Sequence, residues 1–224
     1  MNVFDEIGPQ TKSTYEQHIE ALERARQWVG LERGRTLESP RLIREFHEQR
    51  AQHLAHLLAY NESCEITDIA TLWEHHIHNY FGLKDKIREA FSRGPVVPEN
   101  ENPSTSSNRP RNDAFVYFLA GRLLAAGIDV ITVDGIMKEN EPSPNASDIS
   151  IRFDGALVNI QCKRPRSEPK LRRAVHDARK QLSASGVRKN LGIVALDCSV
   201  FLDPLTLYLE PRLPRLLLIS LRMG

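Results

Sequence analysis

Residues 147–163 read SDISIRFDGALVNIQCK, and the Asp154-Gly155 pair at their centre constrains this chain more than any other feature. An aspartate-glycine pair between alternating apolar residues signals a two-residue hairpin, because both central positions of such a turn take positive φ. With these two residues as the loop, positions whose numbers add up to the same total as 154 and 155 stand opposite each other. Phe153 then faces Ala156, Ile151 faces Val158 and Ile149 faces Ile160, all apolar and all on one face. The other face pairs Arg152 with Leu157, Ser150 with Asn159 and Asp148 with Gln161. Lys163 continues that face, since strand side chains alternate. A one-residue slip would turn the apolar face to water, so the register is well specified. Cys162 points into the apolar face as an inert core thiol. An ordinary solvated hairpin with an Asp148–Lys163 ion pair has the same pattern, and that alternative stays open.

The chain around the hairpin splits by pattern. Ile19, Leu22, Ala25 and Val29 recur at helical spacing in the first segment. Ser39-Pro40 is a cap followed by proline at the first helical position, opening a second helix with Ile43, Phe46, Leu54, Leu57 and Leu58 on its stripe. A third helix from about Thr67 carries Ile69, Leu72, Trp73, Ile77 and Phe81. Gly82 breaks it, and a short helix over 84–91 follows. Residues 94–111, GPVVPENENPSTSSNRPR, are dense in Pro, Ser and Asn without apolar periodicity, the composition of a flexible linker. The expected organisation is a helical module over 1–93, a linker over 94–111 and a second domain over 112–224.

In that second domain Asn112 can cap a helix to about Ala126, stopped by Gly127. A strand over 128–133, a polar loop, the hairpin, a helix over 168–183 and the apolar run LGIVAL over 191–196 come next. The order is helix, strand, strand, strand, helix, strand, an α/β layer on a mixed central sheet. The ending, LEPRLPRLLLISLRMG, follows no clear period and reads as an edge strand or a loosely packed tail.

Charge is concentrated. The whole chain carries a formal +1, yet the 27 residues over 163–189 hold ten basic side chains and two acids, a local net of +8. Such a density beside a carboxylate suits a polyanionic substrate, and the lack of interleaved aromatics implies backbone contact instead of base reading. A merely solvated helix face is the plain alternative.

Asp148, the hairpin, Gln161-x-Lys163 and the basic helix after them resemble the PD-(D/E)xK nuclease superfamily, the restriction-endonuclease-like fold. The resemblance extends from about Asn112 to Cys198. It implies an αβββαβ core and phosphodiester cleavage with a divalent metal, Mg2+ or Mn2+. It also implies that Asp148 is a metal ligand, that Gln161 occupies the second acidic position and that Lys163 is the catalytic lysine. Ser147 stands where the family carries proline. Val116 stands where a helix glutamate is common, which leaves Asp113 as the substitute metal ligand. Arg164, Arg166, Lys170, Arg172, Arg173, Arg179 and Lys180 become the nucleic-acid contacts, DNA ahead of RNA. A degenerate relative that binds nucleic acid or a protein without cutting is the second reading, and a helical interaction scaffold is the third. The N-terminal helices are a possible protein-docking module in either case.

Other chemistry is sparse. His47, His53, His56, His75, His76 and His78 recur at helical spacing but lack HExxH or finger spacing, so packing or surface roles are the default. His176 and Gln181 on the basic helix are weaker supporting candidates. No Walker loop, GxGxxG or Ser-His-Asp signature occurs. Cys64, Cys162 and Cys198 are scattered and odd in number, pointing to a reducing, cytoplasmic compartment. Neither a signal-peptide pattern nor an apolar run long enough to span a membrane is present, so no membrane partner is expected.

Overall fold

The computed structural model of the chain describes residues 15–32, 41, 54–93, 109–141, 147–165, 168–184, 191–198 and 216–221. The first helices bounded among the described residues are α1 (Tyr15–Val29), α2 (Leu54–Trp73), α3 (Leu83–Ser92) and α4 (Arg109–Ala125), with a 3-10 turn at Ile77–Asn79 before α3. Strands β1 (Asp129–Val133), β2 (Ile136–Met137), β3 (Ile149–Phe153) and β4 (Ala156–Lys163) follow. Helix α5 (Glu168–Ala184), β5 (Leu191–Asp197) and β6 (Leu216–Leu221) complete the described elements. The protein is a mixed α/β structure around one six-stranded sheet of order β2-β1-β3-β4-β5-β6. β4 and β5 run parallel, joined through α5, and every other neighbouring pair is antiparallel.

The hairpin register is the expected one for five of the six pairs; Asp148 lies just before β3, so it is not a registered partner of Gln161. Ile149 pairs with Ile160, Ser150 with Asn159, Ile151 with Val158, Arg152 with Leu157 and Phe153 with Ala156. Asp154 and Gly155 take φ of 49° and 74°, the left-handed pair that a two-residue turn of this hand requires. A second hairpin of the same kind lies within what reads as the polar loop. Asp134 and Gly135, at φ 48° and 74°, turn β1 into β2. The chain's ending forms β6, an antiparallel edge strand on β5.

The sheet has two unlike faces. Ala178 and Leu182 of α5 pack on Val194 and Leu196 of β5. The opposite face, with Ile149, Ile151, Val158, Ile160, Cys162 and Ala195, joins a larger cluster that runs without interruption into α1, α2, α3 and α4. The residues before 94 therefore have no separate core among the described residues. Helix α4 is the hinge of that cluster, buried at Ala114, Phe115, Val116, Tyr117, Leu119 and Ala120, as a helix sandwiched between layers must be. Gly121 lets α2 approach closely, since a Cβ there would stand 2.9 Å from the Leu72 Cβ. The Trp73 indole N–H donates to the Tyr117 carbonyl at 2.8 Å, and the Tyr80 hydroxyl donates to the Val130 carbonyl at 2.6 Å.

Several expectations shift. Helix α4 opens at Arg109, inside the segment that reads as linker, and residues 94–108 lie outside the described set. The second and third helical stripes belong to one helix where they are described, because α2 runs unbroken from Leu54 to Trp73; Ile43 and Phe46 lie outside the described residues. Phe81 is not part of the stripe: the helix ends at Trp73, and Phe81 is 97% exposed in the turn before Gly82. The polar side of the hairpin is not wet along its length. Ser150 and Asn159 are buried beside Ser147, whose hydroxyl stands 2.7 Å from that of Ser150. Both hydroxyls reach the Asn159 Oδ1, at 3.2 and 2.9 Å. A buried amide and two hydroxyls satisfying one another avoid the cost of stranded polar groups.

Candidate functional site

Asp148 lies immediately before β3 and Lys163 is the last residue of β4, so the two-residue turn sets how far apart they stand. Lys163 Nζ is 3.7 Å from Asp148 Oδ2 and donates to Gln161 Oε1 at 3.4 Å. Asp148 Oδ2 also accepts the Cys162 backbone N–H at 2.7 Å. The side chains of Lys163 and Asp148 are 20% and 27% exposed, and Gln161 is buried. Asp148, Gln161 and Lys163 are thus gathered at one end of the hairpin, on the side where the sheet carries α5. Burial holds the Asp148 carboxyl above the usual carboxylate range, with the Asp134 charge adding to the rise; Lys163 and the Cys162 N–H offset part of it. The Cys162 thiol is fully buried and pushed well up by burial, as an unreactive core thiol is.

Arg164 does not belong to the exposed basic set. Its Nε donates to Asp197 Oδ2 at 2.7 Å, and its two terminal nitrogens fork onto both carboxylate oxygens of Glu65. Its backbone N–H donates to Asn112 Oδ1 at 3.1 Å, and the guanidinium stands 5.6 Å from the Phe115 ring centre. Burial alone would pull its pKa down, but Glu65 and Asp197 outweigh it and hold the charge firmly. A guanidinium 10% exposed and committed to two carboxylates is not available to a phosphate backbone, which corrects its expected role.

The rest of the basic set divides by position. Lys170, Arg172, Arg173, Arg179 and Lys180 are exposed on α5, as are His176 and Gln181, while Leu171, Ala174, Val175, Ala178 and Leu182 turn inward. Arg173 is 3.7 Å from Asp177 one turn on. Arg166 lies outside the described residues. Asp113 stands one turn before Tyr117 on α4, near enough for its charge to raise the Tyr117 phenol.

Three residues unforeseen in the sequence border the site. The Asp134 backbone N–H donates to the Asp148 carbonyl at 2.7 Å. Lys86 Nζ of α3 reaches Asp134 twice, at 2.6 Å to its carbonyl and 2.7 Å to Oδ2. Tyr117 donates its hydroxyl to the same Oδ2 at 3.1 Å. Burial, with Asp134 next, holds that phenol protonated far above the ordinary range. The one signal that could have found this turn is the Asp134-Gly135 pair, identical to the dipeptide that reveals the main hairpin.

Among the described residues no group of three or more His, Cys, Asp or Glu side chains is placed to hold a metal ion, the histidines over 75–78 included. The oxygen donors that do meet are one carboxylate and one amide. That set is too sparse for a dedicated cage. It fits a hard cation such as Mg2+, which keeps several waters and takes further oxygens from a substrate phosphate. The described contacts of the Asp148 carboxylate all fall on Oδ2. No helix among the described residues is long and apolar enough to cross a membrane. Compared with protein-family models, curated proteins and solved structures, the chain matches none.

Proposed function

We propose that this protein is a divalent-metal-dependent nuclease of the PD-(D/E)xK kind, cutting phosphodiester bonds of DNA in the cytoplasm. The observation that carries the reading is the convergence of Asp148, Gln161 and Lys163 at one hairpin end, within 3.7 Å of the lysine nitrogen. Two features support it. The element order α4, β1, β3, β4, α5, β5 is the αβββαβ order expected of that fold, with β2 as an added two-residue strand. The exposed cations of α5 lie on the site's side of the sheet.

Asp148 and Gln161 would hold the metal, Mg2+ or Mn2+, through one carboxylate and one amide oxygen. The bound metal supplies charge neutralisation at the scissile phosphate and a more acidic water. Lys163 is held between two oxygen acceptors, so its ammonium is oriented before substrate arrives. Placed there, it meets the negative charge that grows on the phosphoryl oxygens, and a fixed cation in a partly buried setting stabilises that charge without reorganising. Lys170, Arg172, Arg173, Arg179 and Lys180 bind the backbone away from the cut, a contact that carries no sequence information.

A second reading is favoured by one observation: among the described residues Lys163 meets a single carboxylate, Asp148, where metal nucleases usually offer two, with Gln161 neutral and Val116 buried on α4. In that reading the fold binds nucleic acid without cutting it. Incubation of the purified chain with supercoiled DNA, with Mg2+ or Mn2+ and then with a chelator, separates the two. Metal-dependent nicking supports the nuclease. Salt-sensitive DNA binding without nicking, and without calorimetric metal binding, supports the degenerate form.

A further inference from the structure

Two ion clusters connect the helices before residue 94 to the two strand ends that carry the candidate site. In the first, Lys86 of α3 bridges the carbonyl and the carboxylate of Asp134 and so locks a residue at φ 48°. That same residue donates its backbone N–H to the carbonyl of Asp148. In the second, Glu65 of α2 accepts the fork of Arg164, which also grips Asp197 of β5 and hands its backbone N–H to Asn112 of α4.

Their location matters because Asp148 and Lys163 sit where the ladder between β3 and β4 has run out, although Lys163 keeps its pair with Leu196 of β5 on the other side of the strand. The last registered pair on that side is Ile149 with Ile160. Strand ends fray unless their backbone groups find partners outside the ladder. Asp134 supplies one such partner to the backbone of Asp148, and Arg164, the residue directly after Lys163, is tied through its backbone N–H to Asn112 and through its guanidinium to Asp197 and Glu65. Both anchors are themselves fixed by a side chain from the N-terminal helices.

We infer that Lys86 and Glu65 are positioning residues for this site: Lys86, through Asp134, fixes the backbone that presents Asp148, and Glu65, through Arg164, fixes the strand end that presents Lys163. The helices before residue 94 are then part of the site's frame, and not only a surface for a partner. The catalytic consequence rests on the nuclease reading, whereas the geometric one does not.

The test uses the full chain as wild type, Lys86→Met, Lys86→Arg and Glu65→Gln, with Lys84→Met as a control on the same helix. Lys84 packs over Trp28, 5.2 Å from the ring centre. The Lys86 side chain is 35% exposed, so its replacement leaves the core intact. Amide hydrogen exchange is read at Cys162, whose N–H is held by Asp148, and at Ile151 and Val158 within the ladder. Turnover on DNA is read in parallel. Lys86→Met and Glu65→Gln are expected to speed exchange at Cys162 while Ile151 and Val158 keep their protection. Turnover should fall roughly ten-fold or more at unchanged KM. Lys86→Arg, which retains the charge and two donors, should recover both, and Lys84→Met should alter neither. Exchange at Cys162 unchanged in both variants, or protection lost evenly along the hairpin, overturns the inference. A wild type that cuts no DNA removes the nuclease reading, and exchange at Cys162 then decides the positioning claim by itself.

Discussion

Gly121 lies on α4 where α2 crosses it, and replacing it by alanine adds one methyl group where the structure has no room. The new Cβ would stand 2.9 Å from the Leu72 Cβ, 3.0 Å from the Trp73 Nε1 and 3.3 Å from the Leu72 Cδ1. Carbon contacts are comfortable at about 3.5–4.0 Å, so the two helices must part by roughly 0.5–1 Å. The Leu72 Cβ is fixed to its backbone and cannot rotate aside. The Trp73 indole is held by its bond to the Tyr117 carbonyl. Overpacking of this kind costs about 1–3 kcal/mol, and weakening the buried indole bond adds about 1 kcal/mol. Alanine's better helix propensity returns about 1 kcal/mol. The net expectation is a loss of about 1–3 kcal/mol, read as a lower urea midpoint at unchanged m-value. A Gly121→Ala protein as stable as wild type, or more so, would mean that α2 is not seated on α4, and the single-core description would fail with it.

Other substitutions separate structural from ligand-facing charge. Arg164→Met leaves the buried Asp197 and the half-buried Glu65 without their cation and should cost about 3–5 kcal/mol in equilibrium denaturation. Arg172→Gln with Arg179→Gln should leave stability within about 0.5 kcal/mol and flatten the salt dependence of DNA affinity by about one unit of slope per lost phosphate contact. The opposite pattern in denaturation and anisotropy titrations would reverse the assignment of Arg164. Asp148 makes a pH-dependent prediction. Its folded pKa is raised by burial, so ionising it opposes folding; its stabilising contribution is complete below the ordinary aspartate pKa and fades as pH rises through the raised value. Asp148→Asn should therefore raise Tm at neutral pH and lose that advantage at about pH 3.9 and below. An equal Tm at both pH values would contradict the burial of this carboxylate.

How much of this was legible in the chain depended on the range of the interaction. The hairpin register follows from a local turn and a period of two, so counting through Asp154-Gly155 pairs Ile149 with Ile160 as observed. Helix α5 and strand β5 are local patterns too. The β1–β2 hairpin carried the same dipeptide, but its second strand is two residues long and too short to show alternation. Arg164 was unreadable for a different reason. It stands in a dense run of cations, while one of its partners, Glu65, is 99 positions away in the chain. Local charge counting cannot distinguish a paired cation from a solvated one. Asp134 and Lys86 were missed likewise, since only the packing of α3 beside the sheet brings them together. Phe81 continued an apolar spacing past the end of its helix, where Gly82 turns the chain and leaves the ring in solvent. The N-terminal helices looked separable because a polar segment divides them from the rest, yet composition between two units does not report whether they pack.

Whether the hairpin end is a working site decides the nuclease reading. The most direct measurement is single-turnover cleavage of a labelled DNA duplex with Mg2+ or Mn2+, comparing wild type with Asp148→Ala and Lys163→Ala after circular dichroism has shown all three folded. The prediction is metal-dependent strand cutting by wild type and a loss of about a hundred-fold or more in each variant, the scale of removing one group that meets transition-state charge. Cutting that persists unchanged in Lys163→Ala, or wild type that cuts no strand with either metal, would contradict it.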